Sequence, residues 1–274
     1  MKKLALSSLV AVFAVSAANA GVIDGNPLYM PKAGHFYSVS DLSSHSGSEG
    51  VKAWTLNEEF GYGISDRFTV AVSTDVENQT FFNEWGWGEA SLAATYRALD
   101  RGAWKADLIG KYEIDPVWGN HLPILDKDVT EYTWTAGVRG GYTTSKFTVA
   151  AKALFDYTNT ESFNWDEDAG KQGEHYLTLG VDGQVALCDR LNLVAGVDYV
   201  ARLDSKDHGS KLPVDKIKNA GKWNGALGLN YNIDPTKYVG AYMTASMDHR
   251  GGKNADEWDV KNGFGFGAKF GIDF

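Results

Sequence analysis

The sequence predicts an all-β fold: a closed antiparallel transmembrane β-barrel of about twelve strands in an up-and-down meander. Three observations carry this expectation. Segments of alternating apolar and polar residues recur along the chain. The connections between them are short and long in turn. The alternation also runs to the last residue, Phe274, where an ordinary soluble domain usually frays.

The final segment reads F-G-F-G-A-K-F-G-I-D-F. Phe264, Phe266, Ala268, Phe270, Ile272 and Phe274 fall on one side of a strand, and Gly265, Gly267, Lys269, Gly271 and Asp273 on the other. Taken alone, this also fits a solvent-facing edge strand of a soluble sandwich. An alternating strand ending in a terminal aromatic resembles the C-terminal signature of Gram-negative outer-membrane β-barrels. The resemblance implies that this strand closes the barrel. It further implies two partners: outer-membrane lipid around the wall, and the barrel-assembly machinery, which would read the strand ending in Phe274.

The other terminus points to export. Lys2 and Lys3 precede a largely apolar run from Leu4 to Ala18, followed by Ala18-Asn19-Ala20. Charged, apolar and small residues in that order make a secretory signal peptide. Cleavage after Ala20 would leave 254 of the 274 residues. The expected organisation is a leader over 1–20, a short periplasmic N-terminal segment over 21–32, and the barrel over 33–274.

Composition agrees. After Ala20 no apolar run reaches the roughly 18 residues of a membrane-spanning helix. The mean hydropathy of −0.29 is that of a soluble protein, yet aromatics reach 13% and glycines number 31. A barrel reconciles these values, because only every second strand residue meets lipid. The 6 prolines are few, as hydrogen-bonded strands require. The single cysteine, Cys188, allows no intrachain disulfide. Without Lys2 and Lys3, 24 of the 26 basic residues remain against 35 acidic ones, a formal −11. That balance argues against nucleic acid as a partner.

Five connections are tight and polar: Ser65-Asp66-Arg67, Asp100-Arg101-Gly102, Thr143-Thr144-Ser145, Cys188-Asp189-Arg190 and Asp234-Pro235-Thr236. The others, around 43–50, 78–86, 116–128, 159–173, 205–221 and 248–257, are longer and richer in charge and aromatics. Strands are expected from about Gly34, Val51, Arg67, Gly88, Ala103, Glu131, Lys146, His175, Leu191, Lys222, Tyr238 and Val260. An even count returns both termini to one side. Counts of about ten or fourteen also remain open, since the first two segments are the least regular.

Parity then sorts the side chains. Trp104, Ala106, Leu108, Gly110, Tyr112 and Ile114 oppose Lys105, Asp107, Ile109, Lys111 and Glu113. The same division holds from Glu131 to Tyr142, from Lys146 to Tyr157, from Leu177 to Val185, and from Leu191 to Arg202. A lysine facing lipid near the midplane would cost roughly 2–4 kcal/mol, so the polar set must face inward. Tyr62, Phe68, Trp104, Tyr112, Tyr132, Phe147, Trp223, Tyr231 and Phe274 are expected at the two interfaces. Two segments resist. Glu58 falls in the greasy parity of its strand, which predicts a bulge near Asn57 to Glu59. From Tyr238 to Asp248 both parities are similar, and Val239, Ala241, Met243 and Met247 are taken as outward.

The expected lumen lining is Arg97, Lys105, Lys111, Arg139 and Lys152 with Glu89, Asp107, Glu113 and Glu131. Two readings follow from it. A water-filled pore could select small hydrophilic solutes by charge during passive diffusion. Alternatively, ion pairs could knit a closed structural or adhesive barrel whose outer loops bind a partner, since twelve strands lie between filled and open barrels. A hydrolase is the third and weakest reading. No barrel-lipase or protease motif is present, and His45 beside Ser44 and Ser46 sits in a loop, so no catalytic residue, cofactor or metal ligand is assigned. The acids of Trp165 to Gly170 lack the spacing of a calcium loop. The aromatics Phe81, Phe82, Trp85 and Trp87 suit sugar stacking, an inward constriction or the upper girdle.

Residues Glu59 to Val70, E-F-G-Y-G-I-S-D-R-F-T-V, look like the strand-turn-strand of porin-like outer-membrane proteins, including the group associated with aromatic-degradation pathways. The resemblance implies a transport role without naming a solute. The expectation is therefore a monomeric outer-membrane barrel passing small polar solutes.

Overall fold

The computed structural model describes residues 26–47, 52–78, 85–116, 129–162, 172–207, 210–211, 221–251 and 258–274. The strands are β1 (Phe36–Gly47), β2 (Lys52–Ser65), β3 (Phe68–Asn78), β4 (Trp85–Arg101), β5 (Trp104–Pro116), β6 (Val129–Thr143) and β7 (Phe147–Ser162). They continue as β8 (Gln172–Cys188), β9 (Leu191–Asp207), β10 (Ser210–Lys211), β11 (Gly221–Asp234), β12 (Lys237–Gly251) and β13 (Trp258–Asp273). The two residues of β10 pair back on the end of β9, so the wall is a closed barrel of 12 strands, antiparallel throughout and in meander order.

Closure is made by the ends of the chain. β1 pairs with β13 from Tyr37↔Asp273 to Gly47↔Gly263. Phe274 N–H donates to the Phe36 carbonyl at 2.8 Å, and Phe36 N–H returns a bond to the Phe274 carbonyl at 3.2 Å. The start of β1, the C-terminal residue and the five tight turns thus share one end of the barrel, here the turn end. The strand ends from which the longer connections leave lie at the opposite end, here the loop end. The long-loop residues Phe81 and Phe82, the acidic run from Trp165 to Gly170, and the residues 1–20 expected to form a leader lie outside the described residues.

The two faces are inverted relative to a water-soluble protein. Leu108, Trp134, Val138, Leu179, Leu227 and Met243 stand exposed, while Asp107, Lys111, Arg139, Lys152 and Asp198 are buried. Water would penalise so continuous an apolar surface, and lipid does not. β12 follows the same rule: Val239, Met243 and Met247 face outward, and Tyr238 and Tyr242 face the lumen. Aromatics gather in two bands. Phe36 packs on Tyr62 and Trp104 on Tyr142 near the turn end, with ring centroids 4.5 and 5.0 Å apart. Tyr112 packs on Trp134 and Tyr199 on Trp223 further up, at 4.3 and 4.8 Å. Trp104 and Tyr112, eight residues apart, lie about 26 Å from each other along the strand.

Glu58 corrects one expectation. No bulge interrupts Asn57 to Glu59: β2 runs in unbroken register with β1, and Glu58 pairs with Ser40 on the outer face. The irregularities fall instead between Gly63 and Ser65 and between Thr74 and Val76. Glu58 is tolerated because Ser38 and Ser40 flank it on the neighbouring strand. Their hydroxyls donate to its two carboxyl oxygens, each at 2.5 Å. Two local donors satisfy the acid without moving the backbone, which a register shift would have to do for every residue beyond it.

Two outcomes test this wall. Val138→Arg, on the outer face of β6, should lower the unfolding free energy in phospholipid vesicles by about 2–4 kcal/mol, read by urea titration. Replacing Ser38 and Ser40 together by alanine should cost about 1–3 kcal/mol in the same assay, and adding Glu58→Leu should recover most of it.

Candidate functional site: the charged lumen

Registers place the inward charges in a row. Arg97 on β4 pairs with Asp107 on β5, Asp107 with Arg139 on β6, and Arg139 with Lys152 on β7. The row continues through Gly180 on β8 to Asp198 on β9. Within it, Asp107 is the acceptor between two guanidiniums. Arg139 donates to Asp107 Oδ2 through Nη2 at 2.9 Å and Nε at 3.2 Å. Arg97 Nε donates to Asp107 Oδ1 from the other side. Asp107 is 1% exposed, so this carboxylate is fully enclosed by its partners. Enclosed charges hold only when such pairing replaces their lost hydration.

Lys152 closes the next pairs. Its Nζ lies 3.1 Å from Asp182 Oδ2 and 3.0 Å from Asp198 Oδ1. Gly180 makes this possible. A Cβ there would stand 2.0 Å from Asp198 Oδ1 and 2.7 Å from Lys152 Cε, so the pair meets across a residue with no side chain. Opposite, Lys269 Nζ lies 3.1 Å from Asp41 Oδ2 and 4.8 Å from the Tyr242 ring centroid. Tyr242 donates its hydroxyl to Asp41 Oδ1 at 2.6 Å.

Nearer the loop end, Lys111 Nζ sits between two acids, 3.2 Å from Glu89 Oε1 and also bonded to Glu113. Glu89 N–H donates to Asp75 Oδ1 at 2.5 Å. Asp115 pairs in register with Glu131 one step further toward the loops. The carboxyls outnumber the cations on this part of the wall.

The residues before β1 complete the lumen. Asn26 to Lys32 meet the inward face at the turn end. Arg97 Nη2 donates to the Leu28 carbonyl at 2.6 Å, and the Tyr29 hydroxyl donates to Asp273 Oδ2 at 2.6 Å. Leu28 is 2% exposed. Gly63 admits the segment: a Cβ there would lie 2.2 Å from the Lys32 carbonyl oxygen. The segment therefore narrows the turn end of the lumen, anchored by the same arginine that holds Asp107.

The expected lining residues divide into groups. Arg97, Asp107 and Arg139 form one network, Glu89, Lys111 and Glu113 a second, and Lys152 joins Asp182 and Asp198. Glu131 is buried on the inner face of β6. Lys105 stands apart, beside the tight turn, with Nζ 2.8 Å from Asp100 Oδ1. Sequence reasoning expected a periplasmic segment over 21–32 and did not foresee residues 26–32 against the inner face, since they carry no alternation. It also passed over Asp115 and Glu77, which stand close to the loop ends of their strands. Trp87, weighed as a loop aromatic, lies on β4 and donates from Nε1 to Thr74 Oγ1 at 2.6 Å. Among the described residues, no group of three or more His, Cys, Asp or Glu side chains is arranged to hold a metal ion.

No protein-family model matches the chain, and no curated protein matches it in sequence. Solved structures do resemble it. The translocator domain of autotransporter NalP from Neisseria meningitidis aligns with TM-score 0.58 and 12% identity, covering 98% of this chain and 99% of that one. The COG4313 outer membrane channel from Pseudomonas putida F1 aligns with TM-score 0.54 and 13% identity, covering 90% and 97%. The NanC porin aligns with TM-score 0.53 and 11% identity, covering 84% and 98%. This chain has the fold of the outer-membrane β-barrels. At these identities the likeness speaks for architecture alone, and no subfamily is assigned.

Asp107→Asn should be the most damaging neutral substitution in the lumen, because it leaves two enclosed guanidiniums uncompensated. The expected loss is about 3–5 kcal/mol. Arg97→Met should cost less, since Arg139 still holds Asp107. Urea unfolding in vesicles, with heat-modifiable gel migration as the folding check, ranks the two.

Proposed function

We propose that the mature chain is a channel in the outer membrane of a Gram-negative cell, exported by the leader over 1–20 and passing small hydrophilic solutes by diffusion. One observation carries the reading: a closed wall with an apolar outer face encloses an inner face of hydroxyl, amide and charged side chains. Such an interior is stable only where water or other polar groups solvate it, and a hydrated solute finds the same partners there. The strand ending in Phe274 is the proposed contact for the assembly machinery.

The fold does not choose the activity, since a porin, a channel and an autotransporter translocator domain share it. Charge and width must do so. The lumen is narrow by construction: twelve strands enclose less than the sixteen of wide porins, and the N-terminal segment occupies part of the turn end. No enzymatic role is proposed.

A second reading has its own support. Glu89, Asp107 and Glu113 are each 1% exposed, as in a barrel knitted shut by its ion pairs. Planar-bilayer recording separates the two. Folded protein should give discrete, ohmic current steps, and a variant lacking residues 26–32 should give larger ones. Folded protein that produces no steps in either form would leave the closed barrel, with its loops as the working part, as the correct reading.

A further inference from the structure

We infer that Arg97 is a latch for which the segment 26–32 and a carboxylate-bearing solute compete, so that small monocarboxylates open the turn end of the lumen. This rests on the channel reading above, to which it adds a solute class and a switch.

The inference starts from how the Arg97 guanidinium is satisfied. Its Nε and Nη2 donate to Asp107, a carboxylate that Arg139 holds as well. A further bond from Nη2, at 2.6 Å, goes to the Leu28 carbonyl, which carries no charge. Arg97 thus shares its acid with a second guanidinium and turns another edge to a neutral oxygen. A carboxylate on that edge would make charge-assisted bonds, roughly twice as strong as neutral ones, and the guanidinium fork matches its shape. Lys105, bonded to Asp100, is the next inward residue of β5 toward the turn end. Asp273, bonded to Tyr29, and Glu59, bonded to Tyr37, are acids of the same end. They set the limit of charge: one carboxylate is taken, and a polyanion is opposed.

A second observation connects binding there to movement of the segment. Leu28 and Tyr29 are adjacent, yet Leu28 is tied to β4 through Arg97 and Tyr29 to β13 through Asp273. The segment therefore bridges the turn end of the lumen. The Tyr29 ring packs against Tyr37 and Tyr238. No residue of 26–32 belongs to a strand. The base of the segment is pinned to the wall: Ala33 N–H donates to Asp66 Oδ1 at 3.0 Å, and Gly34 N–H to the Gly63 carbonyl at 2.8 Å. Gly34 has φ 81°, a conformation that glycine adopts without strain, and it is the hinge between this base and β1. A solute on the Nη2 edge of Arg97 sends the Leu28 carbonyl to water and cuts the tie to β4. It shifts the segment toward release by the difference in its affinity for the two positions.

The test compares sodium acetate with sodium chloride at equal ionic strength in planar bilayers. Acetate should enlarge the parent's current steps several-fold and saturably, toward those of the variant lacking residues 26–32. That variant has nothing to release, so its own response to acetate measures the ordinary difference in mobility between the two anions. Tyr29→Phe breaks the tie to Asp273 and leaves Arg97 in place, so half-opening should come at several-fold lower acetate. Arg97→Met removes latch and binding edge together, and its steps should be large in chloride and unmoved by acetate. If Arg97→Met fails to fold, the shift in Tyr29→Phe decides. A conducting parent that responds to acetate no more than the deletion variant does, or a midpoint unmoved by Tyr29→Phe, overturns the inference and leaves the channel intact. No current from the folded parent or the folded deletion variant, with or without acetate, overturns the channel reading, and the inference falls with it.

Discussion

The pairing of β1 with β13 is the constraint on which the rest of the structure depends. In lipid, an unpaired backbone N–H or C=O costs several kcal/mol, so a sheet survives only if it has no edge. The bonds between Phe36 and Phe274 extend that closure to the final residue. Once the sheet is closed, every side chain must face either lipid or lumen, and the period of two decides which. The exposed phenylalanines of β13 and the inward, half-buried Lys269 between them are two expressions of that single condition.

Closure also explains why the lumen is a charge network rather than an apolar core. A barrel of this width cannot be filled by aliphatic side chains from its own wall, so the interior keeps polar groups near water or near each other. Neighbouring strands lie about 4.8 Å apart, within reach of long side chains, and inward residues on them meet as cross-strand pairs. Arg97, Asp107 and Arg139 are three such neighbours on β4, β5 and β6. The N-terminal segment exploits the same network, taking a hydrogen bond from Arg97 through the Leu28 carbonyl. The segment has no strand of its own, and its placement depends on a side chain 69 residues away.

That distance marks what the sequence could and could not disclose. Strand positions and facing were legible because lipid enforces alternation at each residue, as in Lys105 to Ile114. The tight turns were legible because Asp, Gly, Pro, Ser and Thr, the short turn-forming residues, cluster in them. The partnership of Arg97 with Asp107 was within reach too, since a tight turn joins their strands. Other features were not. Glu58 seemed to demand a bulge because its parity was visible and its two serine donors on the next strand were not. Lys152 meets Asp182 and Asp198 over Gly180, a contact that depends on register across three strands. Asn26 to Lys32 carry no periodic signal, so nothing in them could announce a place in the lumen.

The inward charges were read from the sequence as nearly balanced, and as a set they obscure how they are distributed. They differ with height along the barrel and from one side of it to the other. Near the turn end Asp107 sits between Arg97 and Arg139, a locally cationic group. Toward the loops Lys111 is outnumbered by the acids around it. The opposite wall differs again: Arg202 on β9, paired with Glu174, and Lys222 on β11 stand toward the loop ends of their strands. The excess of acids therefore belongs to one side of the barrel, from β3 to β6, and not to its whole circumference.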